Sequence, residues 1–432
     1  MAQVYAVAPR DGAPSTIGAM TEWTSRRVLR TAGMLAAAAP LTAAGAVVVV
    51  DEMRKRRTPP VNSYPHLPPQ AVQVGRDHAI LYTGAADVYR AMLADINNAR
   101  DHIYFEWFIV KADHVGHRFR DALIAAAHRG VQVHVLLDTW GNLNQPPSFR
   151  HPPRIANLHW MNFPLVRTGI LTGRSRDKGR DHRKILTVDG RVGYVGGYNI
   201  GGLYVTEWRD THLRVEGPSV WELDVAFVDM WNAYRKRDHP TLRRALTHHW
   251  DSRMRAVTNS PAHNTYPISS LYLDALARSS QRAWITMGYF IPDAPMLDAL
   301  TDAAERGVDV RILIPQYSNH IYTDWVGRPH YERLLRAGVR IFLYQDAMIH
   351  AKTMTMDSTW STVGTANIDR LSLRGNFEIN MSIHDAGFAA VMEKIFEFDL
   401  RNTHELTLEE WSQRGALARV TEKIMAPLAP LL

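Results

Sequence analysis

HRKILTVD, residues 182–189, and HAKTMTMD, residues 350–357, spell one string: His, any residue, Lys, four residues, Asp. A single His-x-Lys on a strand is ordinarily a solvated face. Two copies raise the question of a common frame. His350, Lys352, Gly364, Asn367 and Glu378 each stand 168 residues beyond His182, Lys184, Gly196, Asn199 and Asp210. Five polar or glycine positions in one register mark two copies of one structural unit.

The duplication extends upstream. DALIAAAHRGVQVHVLLD (121–138) matches DALTDAAERGVDVRILIP (298–315), here with an offset of 177, so the copies differ by loop insertions. Each segment has helical apolar spacing, then Arg-Gly, then an alternating apolar run, which predicts helix, C-terminal glycine and strand. Each follows an apolar, aromatic-rich run, IYFEWFIV (103–110) and AWITMGYFIP (283–292), that reads as a buried strand. Strand–helix–strand is the unit of a right-handed crossover. After each His string come another buried strand and a Gly-rich turn, VGYVGGYN (192–199) and STVGTAN (361–367), and later a helical stretch. The expected fold is α/β. Two repeats, each a mixed, mainly parallel β-sheet flanked by helices, pack about a pseudo-two-fold and share one active site.

Side chains alternate along a strand, so His182 and Lys184 share a face, as do His350 and Lys352. Packed about a pseudo-two-fold, the repeats bring two imidazoles and two ammoniums together, with Asn199 and Asn367 on the adjacent turns. That set suits a tetrahedral phosphoester. Lys and Asn donors stabilise charge on non-bridging oxygens. One imidazole can attack phosphorus while the other protonates the leaving oxygen. The attacking ring must be neutral and correctly oriented, which a carboxylate on its far nitrogen achieves. Asp210 and Glu378, each 28 residues beyond the His of its own repeat, are the candidates. Asp189 and Asp357 stand at a strand end before a turn and read as structural, as do Gly196 and Gly364. The 20 His residues show no HExxH-type spacing and the chain has no Cys, so neither a catalytic metal nor a cofactor is expected.

The bulk numbers agree. A chain of 432 residues is too long for one ordinary core, and 46% hydrophobic with 22% charged residues is a globular composition. A net charge of +7 is a modest bias toward anionic partners, short of a dedicated nucleic-acid binder. GRSRDKGRDHRK (173–184), leading into the first His string, concentrates Arg174, Arg176, Lys178, Arg180, Arg183 and Lys184, as a rim for anionic headgroups or as a solvated basic loop. The aromatics Tyr104, Trp107, Trp140, Tyr289 and Phe290 lie at strand ends and read as core or as a lipid-facing entrance.

Residues 31–50, TAGMLAAAAPLTAAGAVVVV, run 20 positions without a charge, about the length that crosses a bilayer core. They predict a single-pass N-terminal membrane anchor. SRRVLR before them also fits an exported chain with a twin-arginine-like signal. The predicted layout is an N-terminal segment (1–57), a Pro-rich linker (58–72), a first repeat (73–240), a connector (241–268) and a second repeat with the C-terminal tail (269–432).

These motifs resemble those of the phospholipase D superfamily, and within it the bacterial cardiolipin synthases of the phospholipase D type. The resemblance runs from about residue 75 to 405. It rests on HRKILTVDGRVGYVGGYNI and EWRDTHLRVEG in the first repeat and on GYFIPD, HAKTMTMDSTWSTVGTANID and NFEIN in the second. Asp181 stands where Asn is more usual, and Arg370 is displaced by one position. The resemblance implies a metal-free, two-step transfer through a phosphohistidine, with His182 as nucleophile and His350 as general acid and then base. The implied reaction joins two phosphatidylglycerols into cardiolipin and releases glycerol. The alternative is hydrolysis to phosphatidic acid, or, further off, a nuclease. The implied partners are an anionic phospholipid and a membrane, with no nucleic acid. Internal duplication implies activity as a monomer.

Overall fold

Each His string leads into the middle strand of its own sheet. In the computed structural model the described residues are Met53, 64–164, 179–245 and 253–427. Apart from Met53 they fall within one compact unit, Arg56–Leu432. The predicted anchor, 31–50, lies outside the described residues. Among those described, no helix is long and apolar enough to cross a membrane.

The first half contributes β1 (Gln70–Val74), β2 (Asp77–Tyr82), β3 (His102–Trp107), β4 (Gln132–Asp138), β5 (Leu158–Phe163), β6 (Lys184–Val188), β7 (Val192–Gly196), the two-residue β8 (Trp208–Arg209) and β9 (His212–Glu216). The second contributes β10 (Met254–Asn259), β11 (Arg282–Met287), β12 (Asp309–Pro315), β13 (Arg340–Tyr344), the two-residue β14 (Met348–Ile349), β15 (Lys352–Met356), β16 (Trp360–Gly364), β17 (Glu378–His384) and β18 (Thr403–Leu406). The sheet orders are β1-β2-β9-β7-β6-β3-β4-β5 and β10-β17-β16-β15-β11-β12-β13-β18. From β2 and β10 onward the two orders correspond strand for strand, with β1 and β18 added at opposite edges.

The α/β duplication is therefore as expected and the sheets are mixed, but they are not mainly parallel. Among the described pairings of these two sheets, only β3-β4-β5 and β11-β12-β13 run parallel. The other pairings in each sheet are antiparallel. The cause is the connections. Helices His114–His128 and Ala294–Glu305 supply the crossovers that parallel neighbours need, whereas β6–β7 and β15–β16 are joined by tight turns, which permit only antiparallel pairing.

Those turns explain the Asp of each string. Asp189 and Asp357 sit in the left-handed region, with φ of 54° and 48°, which Asp tolerates better than most residues. The Asp189 carboxylate accepts from the backbone N–H of Arg100, Asp101 and His102. Asp357 accepts from those of Ser280, Gln281 and Arg282. Each thus ties its hairpin to the start of the neighbouring strand.

Two boundaries differ from the expected layout. The segment predicted as a connector contains β10, which pairs along its whole length with β17. The Pro-rich stretch is not wholly a linker: Tyr64 is buried with its hydroxyl 3.0 Å from that of Tyr198, and β1 begins at Gln70. Each half has its own core against its helices. A further cluster is common to both: Ile185, Val195, Leu213 and Val215 pack with Val363, Ile379, Met381 and Ile383. Burying such side chains contributes about 1.5–3 kcal/mol each, and this shared core holds the two His-bearing sheet ends against each other.

Candidate active site

His182 and His350 precede β6 and β15 by two residues, in extended segments that cross to the other half. Backbone hydrogen bonds fix the crossing. The His182 N–H donates to the Phe377 carbonyl (3.0 Å) and the Phe377 N–H to the Arg180 carbonyl (2.8 Å). At the equivalent place, the His350 N–H donates to the Arg209 carbonyl (2.7 Å), and β14 pairs with β8 in parallel. Phe377 and Arg209 are the residues just before Glu378 and Asp210. Each histidine is therefore delivered to the carboxylate of the opposite half.

The side chains complete that exchange. His182 Nδ1 lies 3.0 Å from both Glu378 oxygens. His350 Nδ1 lies 2.7 Å from Asp210 Oδ2. The sequence spacing places each carboxylate 28 residues after the His of its own repeat; the structure pairs it with the other one. The two carboxylates are housed differently. Glu378 Oε2 accepts from the Thr365 hydroxyl at 2.5 Å. At the corresponding position stands Gly197, where a Cβ would fall 2.1 Å from Asp210 Oδ1. The longer acid has a hydroxyl partner; the shorter one abuts bare backbone.

Lys184 and Lys352 are fully buried, and each ammonium donates to the carbonyl of the His two residues before it. Asn199 and Asn367 are buried on the turns that follow β7 and β16. Asn367 Oδ1 accepts from the Tyr289 N–H, while Asn199 Oδ1 is buried with no partner among the described residues. Gly196 and Gly364 admit the neighbouring strand: a Cβ would fall 2.5 Å from the Thr211 carbonyl oxygen and 2.1 Å from Asn380 Oδ1. Among the described residues, no three His, Asp or Glu side chains are arranged to hold a metal ion.

Burial dominates the electrostatics. It pushes the His182 imidazole well below its ordinary pKa, helped by Lys184 and Lys352. It pushes His350 down to about 3, with Lys352 adding to the effect. Burial also lowers Lys184 to about 8 and Lys352 to about 7. The carboxylates diverge. Burial carries Glu378 up to about 8. For Asp210 burial acts in the same direction, but the hydrogen bond and charge of His350, together with Lys352, hold it below the usual carboxylate range.

Of the neighbours, Tyr289 is among the strand-end aromatics singled out above, whereas Phe108, Trp208 and Asp369 carried no legible signal. Phe108 packs edge-on against His182 (4.7 Å between centroids), and Trp208 and Tyr289 pack against His350 (4.7 and 5.6 Å). Trp107 and Phe290 are core. Asp369, buried and pushed up to about 7 by burial, caps the helix Arg370–Arg374 beside the site. Of the basic stretch, residues 173–178 lie outside those described. Arg180 stacks on Trp140 at 3.6 Å. Arg183 is no rim residue: it is buried, with its guanidinium on Glu106 at 2.6 Å, because the alternation of the segment turns it inward. The unusual Asp181 joins that pair, 3.6 Å from Arg183. The loop after β4 buries Asn142 and Gln145, which hold the backbone N–H of Val110 and Ala112.

A duplicated α/β fold whose two His-Lys strings exchange carboxylates across a pseudo-two-fold defines a phospholipase D-like protein. The family model described as "Cardiolipin synthase, PLD-like domain" matches residues 92–231 and 272–400, and the chain belongs to that family. It is similar to the major cardiolipin synthase ClsA of Bacillus subtilis, 36% identical over 363 residues, covering 81% of this chain and 74% of that protein. It is also similar to a cardiolipin synthase of Clostridium perfringens, 32% identical over 371 residues, covering 83% and 77%. Among solved structures, a phosphatidylserine synthase from Haemophilus influenzae shares the fold, with a TM-score of 0.63 at 14% identity over 88% of this chain and 97% of that one.

Proposed function

We propose that this protein is a phosphatidyltransferase that joins two phosphatidylglycerols into cardiolipin and releases glycerol. The observation that carries the reading is the pair of crossed imidazole–carboxylate contacts above two buried lysines, in a family whose named relatives are cardiolipin synthases. His182 Nε2 attacks the phosphorus of a donor lipid, and the P–O bond to glycerol breaks. His350, protonated at Nε2, gives its proton to the departing oxygen. The hydroxyl of a second phosphatidylglycerol then loses its proton to His350 and attacks the phosphohistidine, which frees His182.

The unequal carboxylates fit unequal tasks. Asp210, held ionised, supports the positive charge that His350 must carry as an acid. A phosphate anion between the rings favours the same charged form, against the effect of burial. Glu378, with its raised proton affinity, is a strong acceptor for the Nδ1 proton of His182 as phosphorylation at Nε2 draws electrons from that ring. Lys184, Lys352, Asn199 and Asn367 bear on the non-bridging oxygens. The whole set lies on one chain, so a monomer suffices. The substrate places the protein at a membrane, to which residues 31–50 anchor it.

The test uses purified protein with phosphatidylglycerol vesicles and a chelator, and reads lipid products by mass spectrometry beside His182→Ala. Cardiolipin dependent on His182 is the expected result. Phosphatidic acid alone would make water the acceptor.

A further inference from the structure

The described residues include few large apolar side chains that face solvent, and most of these obey the internal symmetry. Trp140 (49% exposed) follows β4 by two residues, and Tyr317 (45%) follows β12 by two. Leu203 (38%) comes four residues after Asn199, and Leu371 (45%) four after Asn367. Leu143 (44%) is in the same loop as Trp140. An accident of surface composition has no reason to repeat in both halves at the same places.

Topology puts these five on the histidine side of the sheets. Strand β6 runs away from His182, and β3 and β7 are antiparallel to it. The ends of β3, β4 and β7 therefore point to the histidine side of the first sheet, and β11, β12 and β16 do the same in the second. Local contacts agree. Trp140 carries the Arg180 guanidinium at 3.6 Å, two residues from His182. In the Tyr317 loop, Asn319 accepts from the Tyr289 hydroxyl at 2.5 Å, and the Tyr289 ring packs on His350. Leu203 and Leu371 are on the short helices Gly202–Thr206 and Arg370–Arg374. Exposed Arg370 and Arg374 flank Leu371.

We propose that these side chains form a docking ring, in which Trp140, Tyr317, Leu203 and Leu371 enter the interface of an anionic bilayer while Arg180, Arg370 and Arg374 meet its headgroups. Trp and Tyr favour the boundary between headgroups and acyl chains, Leu favours the acyl side, and arginines favour anionic lipid. The ring seats the pocket mouth flat on the leaflet. A diacyl substrate then presents its phosphate to the histidines with its tails still in the membrane. The inference rests on the phosphatidyltransferase reading for its substrate, but it is tested separately from it.

The chain has no native cysteine, so Leu203→Cys, Tyr317→Cys and Leu371→Cys can each carry one environment-sensitive fluorophore in the full-length protein. Thr359→Cys, in the exposed turn at the far end of the second sheet, is the control. On phosphatidylglycerol vesicles containing nitroxide lipids, the three mouth labels are expected to be quenched at least threefold more than the Thr359 label. Equal quenching at all four positions, or none at the mouth, overturns the ring, whether or not cardiolipin forms. Label–label contact at the mouth without vesicles would show a second protein copy there, and also overturns it. Mouth quenching without turnover supports the ring and removes the phosphatidyltransferase reading instead.

Discussion

At the scale of single residues, the site is defined by what burial does to groups that water would otherwise equalise. Glu378 and Asp210 occupy equivalent positions, yet one is pushed up to about 8 and the other held below the ordinary range. Glu378→Gln keeps the shape and the Thr365 contact but removes the proton acceptor behind His182. Transfer is expected to fall by about 10²–10⁴-fold, with thermal unfolding unchanged; equal rates in the two proteins would end the orienting role. Lys352 gives a pH signature. Burial lowers it to about 7, and only its charged form attracts phosphate. In the free enzyme kcat/KM should therefore decline as pH rises through that value. Lys352→Arg holds its charge, so whatever activity it retains should decline only at the higher pH set by Lys184, which burial lowers to about 8.

At the scale of elements, the hairpin aspartates act through the backbone. The three N–H donors on Asp357, with the Ser280 hydroxyl, outweigh burial and lower its pKa. The sign follows: a depressed folded pKa contributes stability above the unfolded value, near 3.8, that is lost as pH falls through the folded one. Asp357→Asn should cost about 1 kcal/mol at neutral pH, the low end for a partly exposed network. Its melting temperature should converge on that of the parent under acid; a gap constant across pH would refute the charge argument. These elements were readable because each is local: apolar period, terminal glycine, Asp before a turn. The run MRAVTN of β10 was not, since it alternates poorly and becomes a strand only by pairing with β17 more than a hundred residues later. Tyr64 was masked in the same way by the prolines around it.

At the scale of the whole molecule, the 168-residue register was legible because both copies kept their polar groups. The exchange of carboxylates was not. A spacing of 28 residues is satisfied equally by pairing within a repeat or across it, and the backbone pairings of Asp181 with Phe377 and of Ile349 with Arg209 decide. The halves are also joined by Arg209, whose buried guanidinium meets Asp399 of the second half at 2.5 Å and holds the Asp210 carbonyl at 2.7 Å. Arg209→Met alone should destabilise by about 3–5 kcal/mol, because it strands a buried carboxylate. R209M/D399L should regain most of that in chemical denaturation while transfer stays impaired, since Asp210 has lost its brace. Full recovery of both would make the pair purely structural.

The exchanged carboxylates bear on the making of the protein as well as its use. During synthesis, His182, Lys184, Asn199 and Asp210 leave the ribosome long before His350 and Glu378 exist. A nascent or prematurely terminated chain holds one imidazole without its acceptor and one carboxylate without its ring. On the proposed mechanism it holds no complete site for opening a phosphodiester. On that mechanism, a complete site requires a chain long enough to fold both halves.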